Sequence, residues 1–228
     1  MKPAFIWATL AITTLIACAQ TQKTDTKMNE SKPIAAVDKT APKPSDPSGY
    51  DTATFANGCF WCTEAVFEEL DGVISAESGY TGGQTENPDY NTVSTGQTGH
   101  AEALQIVYDP AKITFDELLE VFWQTHDPTT LNRQGADVGT QYRSGIFYHN
   151  DEQKQKAEKY KEELNKSGAF NHPIVTEITP FGKFYVAENY HQQYYENNGN
   201  SNPYCRIVIQ PKLEKFRKVF KDKLKKDH

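Results

Sequence analysis

Two thiols three residues apart, Cys59 and Cys62, frame the run Cys59-Phe60-Trp61-Cys62 directly after Asn57-Gly58. Residues 59–70 (CFWCTEAVFEEL) place Val66, Phe67 and Leu70 on one face and close at Asp71-Gly72, so the spacing predicts a helix that starts at Cys59. Unpaired backbone N–H groups and the helix dipole stabilise an anion at such a start. Cys59 is therefore expected to ionise readily and to act as a nucleophile near neutral pH. A third thiol, Cys205, stands in the polar segment NNGNSNPYC, which is expected to be mobile.

Three chemistries compete for these thiols. Cys59 and Cys62 have the C-x-x-C spacing of a thioredoxin-like thiol–disulfide oxidoreductase, although two aromatic residues between the cysteines are unusual and no cis-proline strand is evident. His100-Ala101-Glu102 with the C-x-x-C has the parts of a zinc deaminase, but in reversed order and without the proline, and a three-cysteine site lacks a fourth ligand. No metal is expected. In the third reading Cys59 is a lone nucleophile, and the other cysteines resolve its oxidised product.

The elements that must position these residues follow from periodicity and turn chemistry. Strands are expected over residues 52–55, 101–108, 145–149 and 174–178. Helices are expected over 115–124, introduced by the capping box Thr114-x-x-Glu117, over 151–166 with a stop at Gly168, and over 187–196. Residues 78–90 (SGYTGGQTENPDY) and 126–143 (HDPTTLNRQGADVGTQYR) read as two long irregular loops, a length more often functional than idle. This mixed order argues for an α+β sandwich. From Lys212 to Lys226, lysines alternate with Leu213, Phe216, Val219, Phe220 and Leu224 at helical spacing, which makes the basic run the solvated face of an amphipathic helix. With a formal net charge of −6 the chain lacks the basic footprint of a nucleic-acid partner.

The N-terminus carries an address. Met1-Lys2 and the apolar run 4–16 fit a secretory signal too short to span a bilayer, and it ends in Leu15-Ile16-Ala17-Cys18, similar to the bacterial lipobox. The expected organisation is a signal peptide over residues 1–17, lipidation at Cys18, a flexible tether over 18–50 that is poor in large apolar side chains, and a catalytic domain over 51–228. The protein is expected to be exported and lipid-anchored to a bacterial membrane, on its periplasmic or cell-surface face. Three cysteines then remain in the mature domain, and an odd number in an oxidising compartment leaves one thiol free, which favours redox catalysis.

Gly58-Cys59-Phe60-Trp61-Cys62 resembles the signature of peptide methionine sulfoxide reductases of the A type. Further matches follow in family order: Gly79-Tyr80-Thr81-Gly82-Gly83, Asn87-Pro88-x-Tyr90, Thr98-Gly99-His100-Ala101-Glu102, His126-Asp127-Pro128, Gly139-Thr140-Gln141-Tyr142-Arg143-Ser144, Tyr190-His191-Gln192-Gln193-Tyr194 and Pro203-Tyr204-Cys205. The resemblance covers residues 52–218. It implies a two-layer α+β sandwich with a ferredoxin-like central sheet, and reduction of the S epimer of methionine sulfoxide, free or in proteins, in the repair of oxidative damage.

The resemblance also assigns roles. Cys59 attacks the sulfoxide sulfur, and Glu102 is the acid that protonates its oxygen. Tyr90 and Tyr142 donate to that oxygen, Asp137 supports the polar cluster, and Phe60 and Trp61 form the dry wall for the methyl group. Cys205 is the expected resolving thiol, with Cys62 as its competitor or relay. A thioredoxin-type dithiol is the implied reductant, with no tightly bound cofactor, and a monomer is expected. Plainer readings exist for each: Phe60 and Trp61 as core, Glu102 as a solvated edge residue, Tyr90 and Tyr142 as ordinary loop tyrosines. His100 and His191 are read as structural or as orienting neighbours.

Overall fold

The computed structural model describes residues 49–226. The expected signal segment, the lipidation site Cys18 and the tether up to residue 48 lie outside the described residues.

A six-stranded sheet organises the chain. β1 (Asp51–Asn57), β2 (Val73–Thr81), β3 (Ala101–Tyr108), β6 (Ser144–Tyr148), β7 (Glu177–Pro180) and β8 (Tyr185–Val186) lie in the order β7-β6-β1-β3-β2-β8. All pairs are antiparallel except β6 with β7. Helix α1 (Phe60–Phe67) connects β1 to β2, and α3 (Phe115–Thr125) leads from β3 towards β6. The short helix α2 (Tyr90–Ser94) stands between β2 and β3, and a hairpin of β4 (Arg133–Gln134) and β5 (Asp137–Val138) between α3 and β6. α4 (Asp151–Ser167), α5 (Tyr194–Asn198) and α6 (Gln210–Val219) complete the described chain, the last entered through a π-helical turn at Cys205–Ile209.

Side-chain alternation decides which face each strand presents. Ala53 and Phe55 of β1, with Leu104, Ile106 and Tyr108 of β3, join α1, α3, α4 and α6 in the main core. The Phe55 ring lies within 5.9 Å of Phe67, Phe115 and Phe122, which fastens both crossover helices to the centre of the sheet. Ala56, Ala101, Ala103 and Phe147 face the other way, under Phe181 and Phe184.

Several elements differ from the sequence expectation. The stretch read as a loop from Ser78 contains the second half of β2, and no part of β2 was expected as a strand: a register shift between Val73 and Ser75 breaks its alternation, and apart from Val73 its buried residues fall in the glycine-containing half. The expected strand at 174–178 pairs only over Glu177–Pro180, and β8 adds an unforeseen edge. The expected helix over 187–196 is broken by Gln193 in the left-handed region, φ 50°, into a 3₁₀ turn at Asn189–His191 and α5. Helix α1 is buried on nearly every side rather than on one face, because the sheet lies beneath it and the C-terminal segment covers it. The capping box at Thr114 and Glu117 and the left-handed stop at Gly168 are both present.

Candidate active site

The end of β1 delivers Cys59 to the N-cap of α1, with φ −57° and ψ 123°, so the residue is outside the helix while Cys62 is within its first turn. Gly58 makes this approach possible. Its φ is +100°, and a Cβ there would meet the Gln134 side chain at 2.6 Å. Gln134 is itself latched to Asp127 by two hydrogen bonds, so the 126–143 loop packs directly beneath the nucleophile.

Register supplies the acid. Glu102 is opposite Tyr80 in the β2–β3 ladder, and strand alternation turns it away from Ala101 and Ala103, towards the helical face. Its side chain is buried, not a solvated edge, and Oε2 accepts from the Phe60 N–H at 3.0 Å. Burial pushes the carboxyl up to about 8, with the charges of Asp137 and Cys62 acting in the same direction against that one hydrogen bond. Glu102 therefore holds a proton at neutral pH.

The thiols behave differently from the expectation. Burial raises Cys59 well above the ordinary thiol range, and the hydrogen bond to Cys62 and the Glu102 charge add to it. The helix start does not offset this burial, and several of its N–H groups are already engaged. Phe60 N–H goes to Glu102, and those of Cys62 and Thr63 go to the Cys59 carbonyl. Cys62 carries the lowered thiol of the pair, at about 7, through the hydrogen bond from Cys59 with help from Lys212 and Tyr204. Its sulfur is 3.8 Å from the Tyr204 hydroxyl, which donates to Asp137 Oδ2 at 2.7 Å.

One cavity of about 210 Å³ gathers Cys59, Phe60, Trp61, Tyr90, Glu102, Asp137, Tyr142 and Tyr204. That is below the roughly 300 Å³ at which pockets for drug-sized ligands begin, and suits a single side chain. Tyr90 is placed by the Asp89–Thr92 capping box that starts α2. Tyr142 ends a 3₁₀ turn at Thr140–Tyr142, where Thr140 bonds Gly96 O and Gln141 reaches Ser94 O. Burial raises both phenols, so they remain protonated donors. Behind the apolar wall, Trp61 stacks on Tyr194 with centroids 3.7 Å apart and donates from Nε1 to His191 Nδ1 at 3.0 Å.

The structure thus brings Cys59, Phe60, Trp61, Tyr90, Glu102, Asp137 and Tyr142 together in one cavity, with Cys62 behind Cys59 in the first helical turn and Cys205 outside. That thiol is fully buried, raised by its burial, and outside the cavity lining, in helical rather than loose chain. Sequence reasoning gave no role to Tyr204, although it lies within the quoted Pro203-Tyr204-Cys205, missed Glu188, and left His191 without a contact. His100 braces a loop, accepting from Gly83 N–H through Nδ1 and bonding Thr85 O through Nε2. Among the described residues no group of three or more His, Cys, Asp or Glu is placed to hold a metal ion. Nor is any helix there long and apolar enough to cross a membrane.

A family model described as peptide methionine sulfoxide reductase matches residues 51–224. Peptide methionine sulfoxide reductase MsrA 1 of Rhodopirellula baltica is 58% identical over 177 residues, covering 78% of this chain and 91% of the relative. The MsrA of Deinococcus radiodurans is 55% identical over 175 residues, 77% of this chain and 84% of its own length. Among solved structures, reduced Mxr1 from Saccharomyces cerevisiae superposes with a TM-score of 0.64 at 41% identity, covering 69% of this chain and 90% of that one. Methionine sulfoxide reductase A of Corynebacterium diphtheriae gives 0.62 at 38% identity, with 70% and 79% covered.

Proposed function

This chain belongs to the peptide methionine sulfoxide reductase family, and from that membership we propose that it reduces the S epimer of methionine sulfoxide, free or within proteins, to methionine. The observation that carries the reading is a buried, protonated Glu102 in the same small cavity as Cys59. A sulfoxide entering with its methyl group against Phe60 and Trp61 presents its oxygen to Glu102, Tyr90 and Tyr142. Glu102 gives its proton to that oxygen while the Cys59 sulfur attacks the sulfoxide sulfur, and the Cys59 proton replaces the one Glu102 lost. Collapse leaves the oxygen on Cys59 as a sulfenic acid and releases the thioether. Protonated donors are what an electron-rich oxygen needs at the moment of attack, so the raised carboxyl and phenols are assets here.

A second thiol then condenses with the sulfenic acid, forming a disulfide and water. The family resemblance favours Cys205 for this step, and a Cys59–Cys62 bridge within a helical turn would be strained, because both Cβ atoms must come within about 4 Å. That objection weakens because Cys59 is at the N-cap rather than within the helix. Cys62, in contact with Cys59 and partly ionised, is the better first partner, with Cys205 as the next thiol in a relay. A thioredoxin-type dithiol restores the thiols, and no tightly bound cofactor takes part.

The strand order β6-β1-β3-β2, with α1 and α3 as crossovers, supports reading the centre of the sheet as ferredoxin-like. The lipobox-like Leu15-Ile16-Ala17-Cys18 supports an exported enzyme anchored by a lipid on Cys18 and spaced from the membrane by a tether over residues 18–50.

The test is turnover of the separated epimers by the purified protein with dithiothreitol, wild type against Cys59→Ser. Reduction of the S epimer alone, abolished in the variant, is expected. If neither epimer turns over, the reductase reading falls and the thioredoxin-like dithiol reading of Cys59 and Cys62 replaces it.

A further inference from the structure

Glu188 lies outside the cavity lining, yet it touches the residues behind three parts of its wall. Oε1 accepts from the Tyr90 N–H at 2.9 Å, and Oε2 accepts from the Tyr80 hydroxyl at 2.9 Å. Oε2 also faces His191 Nε2 at 3.9 Å, a buried nitrogen with no hydrogen-bond partner of its own. Because Trp61 Nε1–H donates to His191 Nδ1, the ring proton of a neutral His191 belongs on Nε2, the side facing the carboxylate. The same residues back the apolar wall. Phe60 packs on Tyr80 at 5.8 Å and on His191 at 5.0 Å, and Tyr90 lies 4.6 Å from the His191 ring. Phe60, Tyr80, Val93 and Ala187, with Trp61 and Tyr90 packed against them, form a small core of their own.

We propose that Glu188 is a positioning residue which, by holding Tyr90 and Tyr80 and orienting His191 behind Trp61, sets the depth of the methyl pocket and so the selectivity for methyl over larger alkyl sulfoxides. The inference rests on the sulfoxide reductase reading. A side chain that bonds the Tyr90 backbone fixes where the oxygen-facing phenol starts, and the same carboxylate puts negative charge opposite the Nε2–H of the histidine that holds the indole. Glu188 is suited to this work: partial burial acts to raise its pKa, but the hydrogen bonds from Tyr90 and Tyr80 outweigh it, and the carboxyl is held low and ionised. Without the carboxylate the indole and Phe60 have room to shift, and the pocket loses its hard floor.

The experiment compares kcat and KM for the S epimers of methionine sulfoxide and ethionine sulfoxide in wild type, Glu188→Gln and Glu188→Ala. One extra methylene in a fitted apolar pocket is discriminated by roughly 10–200-fold. Glu188→Ala is expected to contract that ratio by at least about fivefold, mainly through a higher KM for the methyl substrate. Glu188→Gln keeps an acceptor for Tyr90 and is expected to fall between the two. The Trp61 indole N–H resonance, assigned with Trp61→Phe, is expected to move in both variants. If the methyl-to-ethyl ratio is unchanged while both rates fall together, or if the indole signal stays in place, the proposal is overturned. A wild type that reduces neither sulfoxide sinks the function reading instead, and the indole signal alone then decides whether Glu188 holds Trp61.

Discussion

The backbone N–H of Phe60 donates to Glu102 Oε2 at 3.0 Å, which ties the first residue of the helix behind Cys59 to the carboxyl that faces the same cavity. One bond therefore sets both the direction of the nucleophile's helix and the place of the acid. It is also the only interaction among those acting on Glu102 that favours the ionised form, and burial overrides it.

Glu102→Gln keeps an oxygen for Phe60 but has no proton to give. The expected loss in kcat is roughly 10²–10⁴-fold, the usual range for a positioned general acid. In the wild type, kcat/KM is expected to fall as pH rises through about 8, where Glu102 loses its proton. Steady-state profiles of the two proteins check this: the alkaline limb governed by Glu102 is absent from the variant.

The same group affects stability. Its pKa is raised from the ordinary glutamate value of 4.5 to about 8 on folding, so the folded chain binds more protons than the unfolded chain between those values. Its contribution is fully present below about 4.5 and is lost as pH rises through 8. Urea titrations at stepped pH are expected to show wild type losing stability relative to Glu102→Gln across that window. Parallel curves for the two proteins would contradict the assignment.

Tyr90 and Tyr142 are raised phenols that serve only as donors in this account. Replacement of either by Phe is expected to lower kcat by roughly 10²–10³-fold, the cost of one oxyanion donor, and to leave the melting temperature nearly unchanged. Epimer-resolved kinetics and a thermal melt check both parts.

Tyr204 bridges Asp137 and the Cys62 sulfur. In Tyr204→Phe, Cys62 loses one of the groups that lower its pKa, so its thiol is expected to titrate at higher pH. Disulfide formation should slow while the first release of methionine stays fast. Rapid-quench measurement of methionine and of free thiols in the same sample separates the two steps.

Much of this site was legible because its residues are punctuated by chemistry that sequence displays. Gly58 marks the turn before Cys59, and Thr114 marks the start of α3, whereas the Asp89 cap of α2 ends a stretch that reads as loop. What sequence hid is tertiary. Val73–Thr81 lacks alternation because β2 gains its burial from β3 and β8 on either side rather than from its own pattern. The ionisation of Cys59 was misjudged because the burial of its thiol is tertiary and outweighs the helix start, where Glu102 and the Cys59 carbonyl already engage several N–H groups. Glu188 gave no local signal at all, since its role depends on Tyr80, Tyr90 and His191 meeting across up to 108 residues of chain.

The most direct test of the central claim traps the intermediate. A Cys62→Ser, Cys205→Ser double variant, treated with one equivalent of the S epimer and then a sulfenic-acid-specific cyclic dione, is analysed by peptide mass spectrometry. The account predicts the adduct on Cys59, formed together with one methionine per chain. Release of methionine without an adduct on Cys59, or no release at all while the double variant remains folded, would contradict it.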